Sequence, residues 1–455
     1  MLTTFEAAAL AGGEAVGLEA AFARVTTDSR AIQKGDLFVA LKGERFDAHD
    51  FVAQALADGA AAAMVGRGFE LAGANLIVAD DTRLGLGRLA AGWRNRFEGR
   101  VVGITGSNGK TTVKEMLASI LAAHAGADAV LATAGNLNND IGLPLTLLKL
   151  TDQHRYAVIE MGMNHPGEIS YLTGLTRPEV ALVNNALRAH LGGFDGVEGI
   201  ARAKAEIYEG LADGGIAVVP AEDAHAELFR AAAGGHETLS FGLDHGDVKA
   251  RDVVLEPEGS RFTLVSPKGE TLAELASPGL HNVKNALAAA AIALSLDVPL
   301  QAIAAGLAAF AGVKGRLQRK VGRGGIAIID DSYNANPDSM EAGLDVLSAA
   351  PAPRVFVMGD IGELGETAPA LHAEVGAYAK QKGIDALVTL GPLSRHAADA
   401  FGAGATPFDD RAALLAHLDI HLPAGATVLV KGSRFMKMET VVEHLLADNT
   451  HPGEK

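Results

Sequence analysis

The chain has 455 residues, no cysteine, and 39 basic against 55 acidic side chains, for a net charge of −16. That length asks for more than one core, the charge argues against a nucleic-acid surface, and the missing cysteine removes disulfides, thiolate metal sites and a cysteine nucleophile. With 48% apolar and 21% charged residues, the composition is that of a well-buried globular protein, not a disordered one.

The N-terminus carries no basic stretch followed by a long apolar core, so no secretion signal is expected. The most apolar segment, Ala286 to Leu296, is too short for a membrane span. A cytoplasmic protein, working as a monomer, is the expectation.

From Met1 to about Glu98, apolar runs at Asp36 to Leu41, Ala60 to Val65 and Asn75 to Ala79 read as strands. Helical spacing lies at Phe51 to Ala57 and Leu84 to Phe97. Polar clusters sit between them: Thr27-Asp28-Ser29-Arg30, Lys42-Gly43-Glu44-Arg45 and His49-Asp50. Such clusters either hold a phosphate or sugar or simply form turns.

The second region opens on GITGSNGKTT, Gly103 to Thr112. An apolar strand precedes it and a helical pattern (Val113, Met116, Leu117, Ile120, Leu121) follows. Strand, glycine turn and helix start together make an anion site, because successive N–H groups point inward at the positive end of a helix. Lys110 is spaced to reach the terminal phosphates of a nucleotide, and the Thr111 hydroxyl to ligate Mg²⁺. Ile104 stands where the strict phosphate-loop pattern has glycine, so this is a shorter GxxGKTT form.

Strand-like runs recur at Ala129 to Thr133, Tyr156 to Met161, Val180 to Val183 and Ile216 to Val219. Helical patterns lie between several of them, which implies a parallel sheet covered on both faces. Glu160 ends a strand where ligands bind in such sheets, as a second Mg²⁺ ligand or as a cap or ion-pair partner. His190 follows another strand, and Lys204 lies in a helix; spacing alone assigns neither. Asn136, Asn138, Asn139 and Asp140 suit phosphate or sugar oxygens, or an ordinary turn. Val248 to Ser277 reads as a small antiparallel appendage. The helix Asn282 to Leu296 closes the region, with Asn282 as its expected cap.

The third region restarts the alternation. Strands are expected at Ile326 to Asp330, Arg354 to Met358, Ala386 to Leu390 and Thr427 to Val430. Helices are expected at Ser339 to Leu347, Ala368 to Gln381 and Met436 to Leu446. This is a doubly wound pattern without a GxGxxG turn. Asp330 and Asp331 suit a ribose or a Mg²⁺ water, Tyr333 a base, Arg316 a phosphate, and Lys431 and Arg434 a carboxylate; each also has a plain turn or surface reading. A polar tail follows from Asp448 to Lys455.

These motifs, with GNLNNDIGLPLTLL, IEMGMNHPGEI, AHLGGFDGVEGIARAKAEI, HNVKNALAAA, VKGRLQ, DDSYNANPDSM and VLVKGSR, stand in an order that resembles the Mur ligase superfamily along nearly the whole chain. The resemblance implies an α/β fold of three domains. They are a small α/β substrate domain (1–98), a central phosphate-loop parallel-sheet ATPase domain with a small antiparallel appendage (99–313), and a C-terminal Rossmann-like α/β domain (314–455).

The resemblance is nearest the branch that joins D-alanyl-D-alanine to UDP-N-acetylmuramoyl-tripeptide in peptidoglycan synthesis, forming ADP through an acyl phosphate. ATP and Mg²⁺ are then implied. Gly106, Ser107, Asn108, Gly109, Lys110, Thr111 and Thr112 match the ATP site, with His281, Asn282, Asn285, Arg316, Asp331, Tyr333 and Asn334. Thr111, Glu160, His190 and Lys204 match metal positions, Lys204 as a carbamylated lysine. Lys110, Lys204, His190 and Arg316 would carry catalysis. Ser29, Arg30 and Lys42 match the uridine end of the substrate, Asn138 and Asn139 its body, and Lys431 and Arg434 its peptide end.

A sister ligase adding a single amino acid is the near alternative, although the DNPR-like motif usual there is absent. Folylpolyglutamate synthases normally start near the phosphate loop, whereas about a hundred residues precede it here. An ATP-hydrolysing switch is the alternative from another class.

Overall fold

The computed structural model describes residues 2–44 and 46–446; Arg45 and the expected tail at 448–455 lie outside them. Three large sheets follow one another along the chain, of five, six and six strands, with a three-stranded sheet attached to the middle one.

The first sheet runs in space Glu14–Val16, Leu76–Ala79, Ala62–Gly66, Asp36–Val39, Arg24–Thr26. All its pairings are parallel except that of the outermost Glu14–Val16. Helices Thr4–Ala11 and Thr82–Arg94 share one apolar core with its strands. Sequence spacing did not anticipate Thr4–Ala11, yet a capping signal was there. The Thr3 hydroxyl accepts from Glu6 N–H and the Glu6 carboxylate from Thr3 N–H, two otherwise orphaned donors satisfied at once. The second helix begins at Thr82, earlier than its apolar spacing suggests, because Asp81 accepts from the N–H groups of Arg83 and Leu84. It also ties the first unit to the second. Trp93 Nε1 donates to Leu150 O at 3.0 Å, and the buried Arg94 guanidinium donates to the carbonyls of Thr176 and Arg177 at 2.8 and 3.0 Å.

The central sheet is wholly parallel, in the order Glu237–Phe241, Ile216–Pro220, Val180–Val183, Arg100–Thr105, Tyr156–Glu160, Val130–Ala132. The strand feeding the phosphate loop is therefore interior, flanked by the strands ending in Glu160 and Val183. All three release their following loops at one edge, where ligands bind in open parallel sheets. Helices Lys110–Ala125 and Leu280–Ser295 cover one face. The second is alanine-rich, with twelve buried residues, and small side chains let helix and sheet approach closely. A helix that the sequence reading lacked, Leu300–Ala309, packs beside Lys110–Ala125. A Cβ on its Gly306 would lie 2.3 Å from Ile120 Cα, so only glycine permits that crossing. The appendage, Lys249–Glu256, Gly259–Ser266 and Gly269–Leu275, is antiparallel as expected.

In the third sheet the order is Gln318–Val321, Ala327–Asp331, Thr427–Lys431, Arg354–Gly359, Ala386–Leu390, Ala405–Phe408. Its first pairing is antiparallel and the rest are parallel. Helices Pro337–Ser348, Ala368–Gln381 and Arg395–Phe401 pack on one face, Arg411–His421 and Glu439–Leu446 on the other. The last of these starts later than expected, because Lys437 takes a left-handed conformation, φ 48°, after a short turn at Arg434–Met436.

Candidate active site

Helix Lys110–Ala125 starts on Gly109 with no side-chain cap, leaving its first-turn N–H groups for a ligand. Gly109 has φ 78°, and a Cβ there would fall 2.3 Å from Asn285 Oδ1 and 2.6 Å from Asn184 Nδ2. The loop is braced from beneath by two asparagines the sequence reading passed over. Asn184 Nδ2 and Asn185 Nδ2 donate to Asn108 O at 2.9 and 3.1 Å, and Asn108 N donates to Asn185 Oδ1 at 2.9 Å. Ser107 Oγ adds a bond to Leu187 O at 3.1 Å.

Lys110 folds back on this cradle, with Nζ donating to Gly106 O at 2.6 Å and Ser107 O at 3.3 Å. Burial lowers its pKa, opposed by the nearby Glu160 carboxylate and reinforced by Arg316. An arriving phosphate would give that ammonium the anionic partner it lacks. Arg316 Nη2 donates to Thr111 Oγ1 at 3.1 Å, and its guanidinium lies 4.6 Å from the centre of the Tyr333 ring. The guanidinium of Arg434 lies 5.7 Å from the same ring, so in this arrangement Tyr333 packs against cations.

Glu160 is 2% exposed. Its N–H donates to Thr133 Oγ1 at 3.0 Å and its Oε1 accepts from Asn138 Nδ2 at 2.8 Å, while Oε2 is buried with no partner. An unpartnered carboxylate oxygen in such surroundings is costly, and a hard cation suits it. The residues present therefore fit Mg²⁺. Lys204 is 2% exposed, and burial, with Lys110 adding to it, holds its pKa well below the ordinary lysine value. Its helix, Gly196–Ala205, packs its buried face beside the sheet. His190 lines the cavity that also takes in Ser107 and Lys110; it has a left-handed conformation, φ 60°, with Nδ1 2.5 Å from Glu363 Oε2 of the third unit. Despite that closeness, Nδ1 has no hydrogen-bond partner among the described residues. Among the described residues no three His, Asp or Glu side chains converge as a ready-made cage; hydroxyl, carboxylate, imidazole and lysine are distributed around the loop instead.

The third unit closes the opposite wall. Lys431, expected as a free cation, is 3% exposed and committed: Nζ lies 2.6 Å from Asp331 Oδ2 and donates to Asn334 O at 3.0 Å. Arg434 pairs with Glu439 at 2.7 Å, and its N–H donates to Asn334 Oδ1 at 3.3 Å. Asn282 does not cap its helix. Gly279 holds that position, and Asn282 Nδ2 donates to Pro278 O at 2.8 Å and Asn285 Nδ2 to Asn282 Oδ1 at 3.3 Å. His281, on the first turn, is pushed down to about 4 by burial, with Asp331 opposing and Lys431 assisting. The folded chain thus leaves His281 neutral between pH 6.5 and about 4, where the unfolded chain protonates it. Stability should rise with pH across that window and fall on acidification. The ring keeps some exposure to the cavity, which discounts the effect to the order of 1 kcal/mol. Denaturant titrations at both ends of the window should show a smaller acid loss for His281→Gln than for the parent.

In the first unit, Arg30 is exposed and clasps Asp28 through Nε and Nη2, both at 2.9 Å. These bonds and the Arg30 N–H hold Asp28 at about 2. Ser29 is half-buried beside them, and Lys42 is exposed, 3.7 Å from Asp47. The loop 136–140 bridges this unit to the catalytic strand: Asp140 accepts from Arg83 Nη2 at 2.7 Å while Asn138 holds Glu160. Asn139 Oδ1 accepts from Gly142 N at 2.8 Å, just before helix Gly142–Leu147, whose N-cap position is Ile141.

A cavity of about 800 Å³ runs from the phosphate loop to the third unit, lined by Lys110, His190, His281, Arg316 and Asp331 among others. Its size suits a nucleotide. Its floor is cationic, and beside it lies Glu160, an acceptor awaiting a cation. That combination suits the stabilisation of negative charge on a phosphoryl group in transfer.

Family models match three stretches: "Mur ligase family, catalytic domain" at 22–94, "Mur ligase middle domain" at 104–293, and "Mur ligase, glutamate ligase domain" at 315–434. The UDP-N-acetylmuramoyl-tripeptide–D-alanyl-D-alanine ligase of Escherichia coli K12 is 46% identical over 442 residues, 96% of this chain and 97% of that one. The Haemophilus influenzae enzyme of the same name is 43% identical, covering 96% of each. Among solved structures, MurF from Acinetobacter baumannii superposes with a TM-score of 0.92 at 41% identity, covering 98% of both chains. MurF from Thermotoga maritima in complex with ADP gives 0.82 at 28% identity, covering 93% of this chain and 96% of that one.

Proposed function

The chain belongs to the Mur ligase family, and on that premise we propose that it joins D-alanyl-D-alanine to UDP-N-acetylmuramoyl-tripeptide, converting ATP to ADP and phosphate. The observation that carries this reading over a sister ligase is 46% identity, end to end, to an enzyme named for that ligation. No helix among the described residues is long and apolar enough to cross a membrane. We place the reaction in the cytoplasm. We also divide the chain at about 99 and 314, a reading supported by the succession of the three large sheets.

The chemistry has two steps. A carboxylate oxygen of the tripeptide attacks the γ-phosphorus and ADP leaves, giving a mixed anhydride. The amine of the dipeptide then attacks the acyl carbon, loses a proton, and inorganic phosphate leaves. Each step gathers negative charge on phosphoryl oxygens. Lys110, the N–H groups of the phosphate loop and Arg316 supply positive charge fixed in advance, which costs no reorganisation during reaction. Thr111, Glu160, His190 and a carbamylated Lys204 would hold Mg²⁺, which when bound offsets charge that these cations leave uncompensated. Arg30, Ser29 and Lys42 bind the uridine end, and the loop with Asn138 and Asn139 leads from there to the reacting carboxyl. Asn282, Asn285, His281, Asp331, Tyr333 and Asn334 enclose the nucleotide, and Lys431 and Arg434 order the wall that faces the peptide. The third unit shuts water out of the cavity, which protects the anhydride from hydrolysis.

Omitting substrates one at a time tests this reading. Phosphate release should require ATP, tripeptide nucleotide and D-alanyl-D-alanine together, and single amino acids should not replace the dipeptide. Brisk release from ATP alone would instead make the chain a hydrolase or switch.

A further inference from the structure

Besides the bonds from Arg316 to Thr111 and between Asn108 and Asn336, a cluster of contacts between the central and third units falls on one short segment, 187–193, which carries His190. Arg188 is held from three sides by the third unit. Its N–H donates to Asp338 Oδ2 at 2.8 Å, and its guanidinium donates to Asp338 at 3.1 Å, Glu341 at 3.1 Å and Glu374 at 2.6 Å. Four residues along, Gly192 N donates to Glu363 O at 2.9 Å. Between those two fixed points sits His190, with Nδ1 2.5 Å from Glu363 Oε2.

Both partners in that contact have left-handed backbones, φ 60° at His190 and φ 64° at Glu363. Neither is glycine, so each conformation is held at a cost, and such outliers gather where geometry matters for function. The loop bearing Glu363 is itself pinned. Ile361 N donates to the buried His372 Nε2 at 2.9 Å, whose Nδ1 is 2.6 Å from Ala368 O, and Gly362 N donates to Ser433 Oγ at 2.8 Å. Glu363 remains mostly exposed, 64%, so packing alone does not explain its placement.

We infer that Glu363 is a positioning residue: its carboxylate, set beside Nδ1 as an ion-pair partner, orients the His190 imidazole across the domain boundary and turns Nε2 toward the metal. This rests on the assignment of His190 to Mg²⁺ made above. Metal-binding histidines ordinarily give their second ring nitrogen to a carboxylate, which sets tautomer and orientation. Here that carboxylate belongs to another domain, so the metal site is completed only when the third unit docks. Docking would then link acceptor-domain closure to the competence of the phosphoryl-transfer site, and would restrain ATP cleavage while the third unit is away.

The test uses the full-length chain, Mn²⁺ as the spectroscopic probe and a non-hydrolysable ATP analogue, with free Mn²⁺ followed by electron paramagnetic resonance. Glu363→Ala should weaken Mn²⁺ binding about 10- to 100-fold, the usual loss for an outer partner of a ligating histidine. Glu363→Gln, which keeps an oxygen of the same shape beside Nδ1 without the charge, should lose clearly less. Affinity for the analogue measured without metal should be unchanged in both. Parental Mn²⁺ affinity in Glu363→Ala would overturn the inference, as would an equal loss of analogue affinity without metal, which would mark a general effect on closure. If His190→Ala also bound Mn²⁺ as the parent does, the assignment of His190 to the metal would fail first.

Discussion

Lys110→Ala should lower ADP formation by about three orders of magnitude while leaving the fold intact. The size follows from where the charge sits. Among the described residues Nζ is bonded only to two carbonyls of its own loop, Gly106 O and Ser107 O, and burial has depressed its pKa. Nothing in that environment needs the ammonium for folding, and removing a poorly compensated buried cation should leave thermal stability equal or slightly higher. The phosphates do need it. A cation fixed at developing phosphoryl charge acts mainly on the transition state, so the loss should fall on kcat more than on KM. Losses for one such group are of order 10²- to 10³-fold, and more where it contacts the transferring group itself. Lys110→Arg should not restore the rate, since a planar fork cannot enter a loop shaped around a point charge. Steady-state ADP release together with a melting curve checks both halves. Turnover within tenfold of the parent would remove Lys110 from the chemistry.

The same loop shows why some of the site was legible in the sequence and some was not. Strand, glycines, lysine and helix are contiguous, so their spacing carried the cradle without any knowledge of the fold. Asn184 and Asn185 lie 76 and 77 residues from the Asn108 carbonyl they brace, and only the neighbouring placement of two parallel strands brings them there. Asn336 meets Asn108 across 228 residues, in a reciprocal pair of bonds at 2.7 and 3.2 Å. The Arg188 clamp is equally invisible locally, because its acids come from two helices of another unit. Glu363 was silent for the same reason.

The fold divides along similar lines. Interior strands such as Val180–Val183 are buried end to end and announce themselves as apolar runs. Among the strands that spacing did not show are sheet edges: Gln318–Val321 (QRKV), Ala405–Phe408 with its proline, Glu237–Phe241 (ETLSF), Glu14–Val16 and Arg24–Thr26. An edge strand has one neighbour and needs no continuous apolar face, so its sequence looks like a loop. Lys431 erred in the other direction. It reads as a surface cation beside Gly432, yet it is the last residue of an interior strand, where Asp331 on the adjacent strand meets it.

Lys204→Ala should be almost inactive, down by about 10³-fold or more, and short carboxylates such as acetate or propionate should recover part of the rate. The position itself is an odd one for a lysine. A lysine 2% exposed, with no carboxylate within ion-pair distance among the described residues, is expensive as an ammonium. Its pKa is accordingly lowered, and Lys110 nearby pushes the same way. Burial thus favours the neutral amine, whose lone pair can add to carbon dioxide with release of a proton. The resulting carbamate is an anionic oxygen donor close to Lys110, which answers both the unpaired ammonium and the need for a further hard ligand. Alanine leaves room for a small carboxylate to occupy the same volume, and that is why rescue is expected in that variant and not in Lys204→Met, which fills the space. Carbon-13 spectroscopy in labelled bicarbonate should show a carbamate resonance in the parent and none in either variant. A fully active alanine variant would dispose of the modification. A dead variant that no carboxylate revives, beside a parent lacking the resonance, would leave Lys204 as a structural residue only.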